Sequence, residues 1–533
     1  MNAPAVPGNR RLLVLAGAAA AALLAIVLLV RACGGDDKPP QSEAAKLMPD
    51  STLVFVDIST DGDRDAVKRA ADMANRFGAY DANRDALLKR LSGGDKAVDA
   101  KKDVAPWLGD EAAFALMDSG NATAGSLIAI EVTDEGKARE FLARNKRQAI
   151  RKDYKGHETV RYGSVTTSFV RGFLVIGQDP TVQSAIDRDK TGARPLTVDA
   201  TYKRAVEGLP DGRAVTAYAS ADGLRRLLVP QGDVLGGLAT VLDRPALEGV
   251  AVAAEAQDDH MLRVVVHSAL NAEEQKRAGA PAKQFEPGLL GDVPEGALAY
   301  LGASGINGAL QRLVVSSVGG SGRGGEVTQL LGRLATELDK ETGGGLQNDL
   351  LKLFEGEVAL VIEKSVPAPI FSIVTKTKDE GGTRRTLDKL RDPLAKLLRP
   401  QGEAALRWDP QDIKGGDAWT LSLPNGSKIT YAVGDGRLIL STSPDGVRHI
   451  LESDDSLKDS GRFEDVLGDR PDEVGTLGFL DFSQLLELGE QTGLNDSRSY
   501  LAARDDLHKV RTVGVSSSGD EGESTAEILV SIP

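Results

Sequence analysis

The sequence predicts an α+β protein: two tandem duplicated domains with mainly antiparallel sheets flanked by helices, preceded by one transmembrane helix. Three observations carry this prediction. Leu12–Val30 is an unbroken apolar run. Five segments recur in the same order in the two halves of the remaining chain. Between them, short strand patterns joined by tight turns alternate with amphipathic helical patterns, which marks α+β architecture.

The apolar run comes first. Its nineteen residues, free of charged and polar side chains, span about 29 Å as a helix, close to the ~30 Å hydrocarbon core of a bilayer. Cleaved signal peptides have a shorter core of about 7–15 residues and a small-residue cleavage site. An uncleaved signal-anchor is therefore expected, with residues 1–33 forming the cytoplasmic tail and membrane helix. Val30-Arg31-Ala32-Cys33 offers an alternative as a lipoprotein signal with Cys33 lipidated, but Arg31 stands where such motifs carry a small uncharged residue. A buried helix of a soluble protein does not fit a terminal run followed by a polar tether. Arg10 and Arg11 precede the run. Basic flanks favour the cytoplasm, so the N-terminus is expected inside and the C-terminal domains outside the cytoplasmic membrane.

Residues 34–46 follow as a flexible linker. Repeat domain 1 is expected over 47–270, an inter-domain linker over 271–287 and repeat domain 2 over 288–533. Pro49–Leu53 matches Pro294–Leu298, and Trp107–Phe114 matches Phe354–Val361. Gly172–Pro180 matches Gly436–Pro444, and Tyr202, Pro210 and Tyr218 recur as Phe463, Pro471 and Phe479 at identical spacing. Both halves close on a strand pair, Val250–Ala256 with Met261–Ser268 and Thr512–Ser518 with Ser524–Ser531. A unit of this length is a domain duplication and not a solenoid repeat of 20–50 residues.

Within each unit a strand (Leu53–Ser59; Ala297–Gly302) leads into helices (Arg64–Arg76 and Asn83–Leu91; Ile306–Val315 and Glu326–Lys340). Two strands follow (Glu111–Met117 with Ser126–Val132; Glu357–Glu363 with Pro369–Thr375), then a helix (Glu135–Asn145; Thr383–Leu398). Three short strands come next at Glu158–Tyr162, Val165–Val170 and Phe173–Gly177. Asp435-Gly436 marks a tight hairpin in the second half. Two short helices (Thr181–Arg188, Thr201–Leu209), a strand and the closing hairpin complete the unit.

The Trp/Phe-x-Gly-Asp/Glu-x-Ala opening, the pattern Glu131–Leu142 and the strand Gly172–Gly177 resemble those of a family. These marks are similar to those of membrane-anchored extracytoplasmic proteins of high-GC Gram-positive bacteria that carry a domain of unknown function. The resemblance covers nearly the whole chain beyond the anchor. It implies a single-pass cell-envelope protein and supplies no catalytic residues.

Composition narrows the partners. Residues 1–35 carry three arginines and no acid, so the net charge of −14 for the whole chain becomes −17 beyond them. Such a surface repels phosphate backbones, so no nucleic-acid partner is expected. With Cys33 as the single cysteine, no intrachain disulfide can form. Aromatic residues are 4% of the chain, too few for a sugar- or base-stacking surface.

The chemical motifs mostly dissolve on inspection. Gly320–Gly325 contains G-x-G-x-x-G but follows a helical pattern and not the strand a dinucleotide fold needs. Asp57-x-Ser59-x-Asp61-Gly62 imitates a calcium loop, yet its twelfth position is Lys68 and not the bidentate Glu. Asp57 is then a strand-end residue, with Asp61 or Asp63 capping the next helix. His157, His260, His267, His449 and His508 form no ligand-spaced pair, and solvent-facing or capping roles are expected. Trp107, Trp408 and Trp419 suit core anchors. No nucleophile elbow, S-x-x-K partner set or phosphate loop is present. No catalytic residue, metal site or cofactor is therefore expected. The expected function is a non-enzymatic binding or scaffolding ectodomain, with an unknown envelope protein as partner. The alternative is a carrier of lipid or another small apolar ligand, lined by segments such as Leu224–Leu242.

Overall fold

The computed structural model describes residues 41–78, 100–118, 124–144, 149–228, 244–277, 284–305, 353–354, 356–366, 368–399 and 406–533. The expected membrane helix, Cys33, the helices at 83–91, 306–315 and 326–340, and the glycine-rich loop 320–325 lie outside them. Among the described residues, no helix is long and apolar enough to cross a membrane.

Among the described residues, ten strands precede residue 271: β1 (Thr52–Ser59), β2 (Leu108–Met117), β3 (Gly125–Val132), β4 (Ala149–Tyr154), β5 (His157–Tyr162), β6 (Val165–Val170), β7 (Phe173–Gly177), β8 (Val215–Ser220), β9 (Leu247–Ala256) and β10 (Met261–Leu270). Ten follow: β11 (Ala297–Ser304), β12 (Glu357–Glu363), β13 (Ile370–Lys376), β14 (Trp408–Gln411), β15 (Asp417–Ser422), β16 (Lys428–Gly434), β17 (Arg437–Ser441), β18 (Thr476–Asp481), β19 (Thr512–Asp520) and β20 (Glu523–Ser531). All pair antiparallel in one sheet. From one edge inward, the first ten run β4-β5-β6-β7-β3-β2-β1-β8-β9-β10. From the other edge, the second ten run β14-β15-β16-β17-β13-β12-β11-β18-β19-β20. The two orders mirror each other. They meet where β10 pairs with β20, in register from Met261 opposite Ser531 to Ala269 opposite Glu523.

Local chemistry explains the hairpins. Lys155-Gly156, Arg171-Gly172 and Asp435-Gly436 each place two successive residues at positive φ, the conformation that matches strand twist in a two-residue turn. The sheet edges are guarded. The outer strand β4 carries Arg151 and Lys152, and β14 carries Pro410, which discourages pairing with another chain. Strand β4 carries largely exposed side chains, and its weak apolar pattern explains why the sequence expectation omits it.

Helices cover matching faces in the two halves. In the first, Val182, Ala185 and Ile186 of Asp179–Thr191 and Tyr202 and Ala205 of Ala200–Glu207 pack on Phe55, Ala113, Leu127 and Val175. In the second, Val447 and Ile450 of Pro444–Glu452 and Phe463 and Val466 of Gly461–Leu467 pack on Tyr300, Ala359, Val361 and Ile439. The opposite face of the first half is covered by Val67 and Ala71 of Asp65–Ala74, by Trp107, and by Phe141 of Glu135–Ala143.

Two sequence expectations about capping and exposure are corrected. The helix Asp65–Ala74 begins after Arg64, which makes no side-chain cap bond. Asp61 instead accepts the Asp63 N–H at 2.8 Å, closing the turn before the helix. His267 is buried, not solvent-facing, with Nδ1 2.9 Å from Thr525 Oγ1 across the β10–β20 joint. The chain at Gly208 closes over its ring: a Cβ on that glycine would come within 2.3 Å of His267 Nδ1.

Within the segment expected as a linker, Ala272–Arg277 is helical. Its Gln275 is buried, donates to Asp520 O at 3.1 Å and accepts from Gly522 N at 2.8 Å. It thereby fastens the β19–β20 turn to the end of β10.

Candidate functional site: a carboxyl pair beneath a polar cavity

Between Thr52 and Ser59 at its ends, strand β1 is apolar except at Asp57, which lies inside the strand and not at its end. Asp57 stands opposite Ala113 of β2 and Thr216 of β8. Glu111 of β2 stands opposite Ser59, two residues from Ala113. Side chains two apart on a strand share a face, so Glu111 is the diagonal neighbour of Asp57.

Two further elements complete the site. Tyr202 projects from the helix Ala200–Glu207, whose N-cap Asp199 accepts the Tyr202 N–H at 2.7 Å. Arg213 lies in the turn before β8 and donates to Pro210 O at 2.6 Å and Thr216 Oγ1 at 3.0 Å. Above Asp57 these side chains line a cavity of about 390 Å³, with Gln41, Ser42, Lys203 and Glu207 around it.

The electrostatics are unequal. Glu111 is well satisfied: it accepts from Ser42 Oγ at 2.5 Å and from the Glu43 and Ala44 backbone N–H groups at 3.0 Å each. Asp57 is not. It keeps some surface on the cavity side, but its Oδ1 is sealed from solvent and has no hydrogen-bond partner. Burial pushes the Asp57 carboxyl well above the usual carboxylate range, the Glu111 charge beside it pushes further, and Arg213 opposes both. Burial also raises the Tyr202 phenol, and the two acids add to it. Burial lowers Arg213, against the charges of Asp211 and Asp57. The arrangement is a proton-holding carboxyl pair, with Asp57 at the floor of a mixed-charge cavity and Glu111 behind it.

The second half lacks this site. Gly302 occupies the place of Asp57, opposite Ala359 and Leu477. A Cβ on Gly302 would come within 2.2 Å of Tyr300 Oη, so the tyrosine fills the space. The glutamate persists: Glu357 accepts Leu289 N–H at 2.8 Å and pairs with Lys376 Nζ at 2.7 Å. Both glutamates clasp the backbone that enters the first strand of their half. The acid in the middle of the strand is specific to the first half.

A second cavity of about 300 Å³ lies between Glu135–Ala143 and β5–β6. In it Arg139 bonds Glu158 at 2.8 Å and sits 4.5 Å from the Phe169 ring centroid. Its charges are matched among themselves. On the far half, His449 Nδ1 lies 2.7 Å from Glu363 Oε2, and burial raises the Glu363 carboxyl.

The residues singled out in the sequence do not converge. His260 sits in the β9–β10 turn with its N–H on Asp258 Oδ1 at 2.7 Å. Trp107 is buried and donates to Asp103 O at 2.7 Å, Trp408 donates to Arg391 O at 2.9 Å, and the Arg391 guanidinium lies 3.8 Å from the Trp419 ring. Of Leu224–Leu242, the described part is the helical turn Leu224–Leu228, with Leu224 and Leu227 buried. Among the described residues, no group of three His, Cys, Asp or Glu side chains is placed to hold a metal ion. The signal that sequence reasoning passed over was a lone acid inside an apolar strand.

A family model of proteins of unknown function, DUF3352, matches residues 12–532. No curated protein matches the chain. Among solved structures, crystal form IV of TP0453 aligns over 45% of this chain and 85% of that chain, at 9% identity and a TM-score of 0.27. Crystal form I of TP0453 aligns over 46% and 89%, at 8% identity and the same score. A likeness at that level carries no argument about fold or function.

Proposed function

The chain belongs to this family of unknown function, DUF3352, and on that premise we propose that it is a non-enzymatic binding protein of the cell envelope. Leu12–Val30 tethers it to the cytoplasmic membrane, and the domains beyond face outward. The observation that carries the binding reading is the unsatisfied Asp57 at the floor of a cavity large enough for a small molecule. Of the hydroxyls near it, Ser42 is engaged by Glu111, and Thr216 accepts from Arg213. The charged side chains around that cavity, set in a lining that is otherwise largely apolar, favour a small ligand with a charged or polar end over the wholly apolar ligand considered from the sequence.

The mirrored strand orders and the paired glutamate clasps support descent of the two halves from one duplicated unit. In that history the second half closed its cavity with Tyr300 and the first kept it open. Residues 31–41 are long enough to reach at most about 40 Å at 3.3–3.6 Å per residue. The cavity mouth, bordered by Gln41 and Ser42, is therefore held close to the membrane surface.

The test is thermal unfolding of the detergent-solubilised full chain against a panel of small amines, carboxylates, sugars and phospholipids. The binding reading expects at least one small polar compound to raise the midpoint and to be recovered unchanged. Stabilisation by phospholipid alone, or conversion of the stabilising compound, contradicts it. A reporter fused at the C-terminus tests the placement: activity confined to the cytosol rules out the outward display.

A further inference from the structure

The geometry points to the ligand class: the cavity above Asp57 takes a small organic ammonium, its positive charge seated on Asp57, with Glu111 behind it and outside the cavity lining. The inference rests on the binding reading and narrows it.

A buried carboxyl without a hydrogen-bond donor is costly. A proton shared with Glu111 lowers that cost, and so does a cation seated on the side of Asp57 that faces the cavity. Glu111 of β2 adds a second negative group and is held in place by three donors from Ser42, Glu43 and Ala44. Arg213 is the nearest fixed cation, but its Nε and Nη1 are directed at Thr216 Oγ1 and Pro210 O. Tyr202 is held neutral by burial. Lys203 and Glu207 sit on the exposed rim, where opposite charges largely cancel and water screens them. The floor therefore presents a carboxyl that turns negative once its proton leaves, and the rim presents no charge in excess.

Size agrees. About 390 Å³ accommodates a compound of a few heavy atoms with room to spare. The second half supplies an internal contrast, because Gly302 removes the acid and Tyr300 removes the space.

Proton and ammonium compete for the same carboxyl. Binding is therefore weak in acid, where Asp57 holds its proton, and strengthens as pH rises through its raised pKa.

The probes are propylamine, glycine and acetate, titrated calorimetrically into the full chain in detergent at pH 5 and pH 8. Propylamine is expected to bind at pH 8, and about tenfold or more weakly at pH 5. Asp57→Asn is expected to weaken it about tenfold or more at pH 8, the scale of losing one charge-assisted bond. Lys203→Glu, on the exposed rim, is expected to tighten it, and it keeps the test decisive if Asp57→Asn does not fold. Equal binding by Asp57→Asn, or an affinity unchanged between the two pH values, overturns the assignment. Binding of acetate in place of propylamine also overturns it, but leaves the cavity as a ligand site. Silence from all three probes removes the ammonium assignment. If the wider panel is silent too, the binding reading falls with it.

Discussion

Replacing Glu111 with alanine removes the acceptor that holds the entering chain against the sheet. The Ala44 N–H is fully buried and would lose its 3.0 Å bond to Glu111 Oε1. A buried donor left unsatisfied costs about 1–3 kcal/mol. The Glu43 N–H and Ser42 hydroxyl are part-exposed, so water replaces their bonds at little cost. If the segment instead lifts away, Leu47 and Met48, exposed by 1% and 0%, return to water. At about 1.5–3 kcal/mol per side chain that is roughly 3–6 kcal/mol. The chain therefore keeps the segment docked with a loss of about 1–3 kcal/mol, and local opening becomes correspondingly easier. Hydrogen exchange of residues 42–48 in the full chain reads this out. Protection there is expected to fall about 5- to 150-fold, the same energy expressed as an equilibrium ratio. Glu111→Gln keeps one carbonyl oxygen and is expected to fall in between. Glu357→Ala should act likewise at Leu289, whose N–H it orphans. Unchanged exchange over 42–48 in Glu111→Ala would show that the clasp holds nothing.

Further tests bear on the same strands. Because the folded state raises the Asp57 pKa above its ordinary 3.8, the native protein binds a proton that the unfolded chain has released. Stability from this group is thus greatest in acid and declines as pH rises from about 4 towards neutrality. Asp57→Asn is expected to be more stable than the parent at pH 7, the gap closing near pH 4; urea midpoints at the two pH values check it, and a pH-independent gap contradicts it. In the second half, Gly302→Ala forces a Cβ against Tyr300 Oη and should cost about 1–3 kcal/mol. Tyr300→Phe removes the nearest obstructing atom and a buried hydroxyl without a partner, while the ring Cζ stays 2.8 Å from the added Cβ, so it should rescue Gly302→Ala in part in a double-mutant cycle. Additive losses would mean the hydroxyl is not the obstruction.

Most of the sheet was legible because its strands obey strong local rules. Alternating or continuous apolar runs bounded by turn residues gave β1–β3, β5–β7 and the closing hairpins within a few residues. Asp435-Gly436 announced its turn, since few other pairs tolerate two positive φ values. The outer strand β4 escaped because an edge strand of exposed, charged residues has no apolar signature. The joint between the halves escaped for another reason. β10 and β20 are 253 positions apart at their nearest termini, Leu270 and Glu523, and nothing local encodes a partner at that distance. The carboxyl pair was hidden in the same way. Asp57 looked like a strand end beside Asp61-Gly62, and only the β1–β2 register sets Glu111 beside it.

A crystal structure of the chain grown with propylamine decides between a ligand site and an idle void beneath the helix Ala200–Glu207. The amine nitrogen is expected about 3 Å from a carboxylate oxygen of Asp57, with Glu111 still clasping Ala44. An empty cavity at saturating amine, or the amine bound elsewhere with Asp57 untouched, would contradict the assignment.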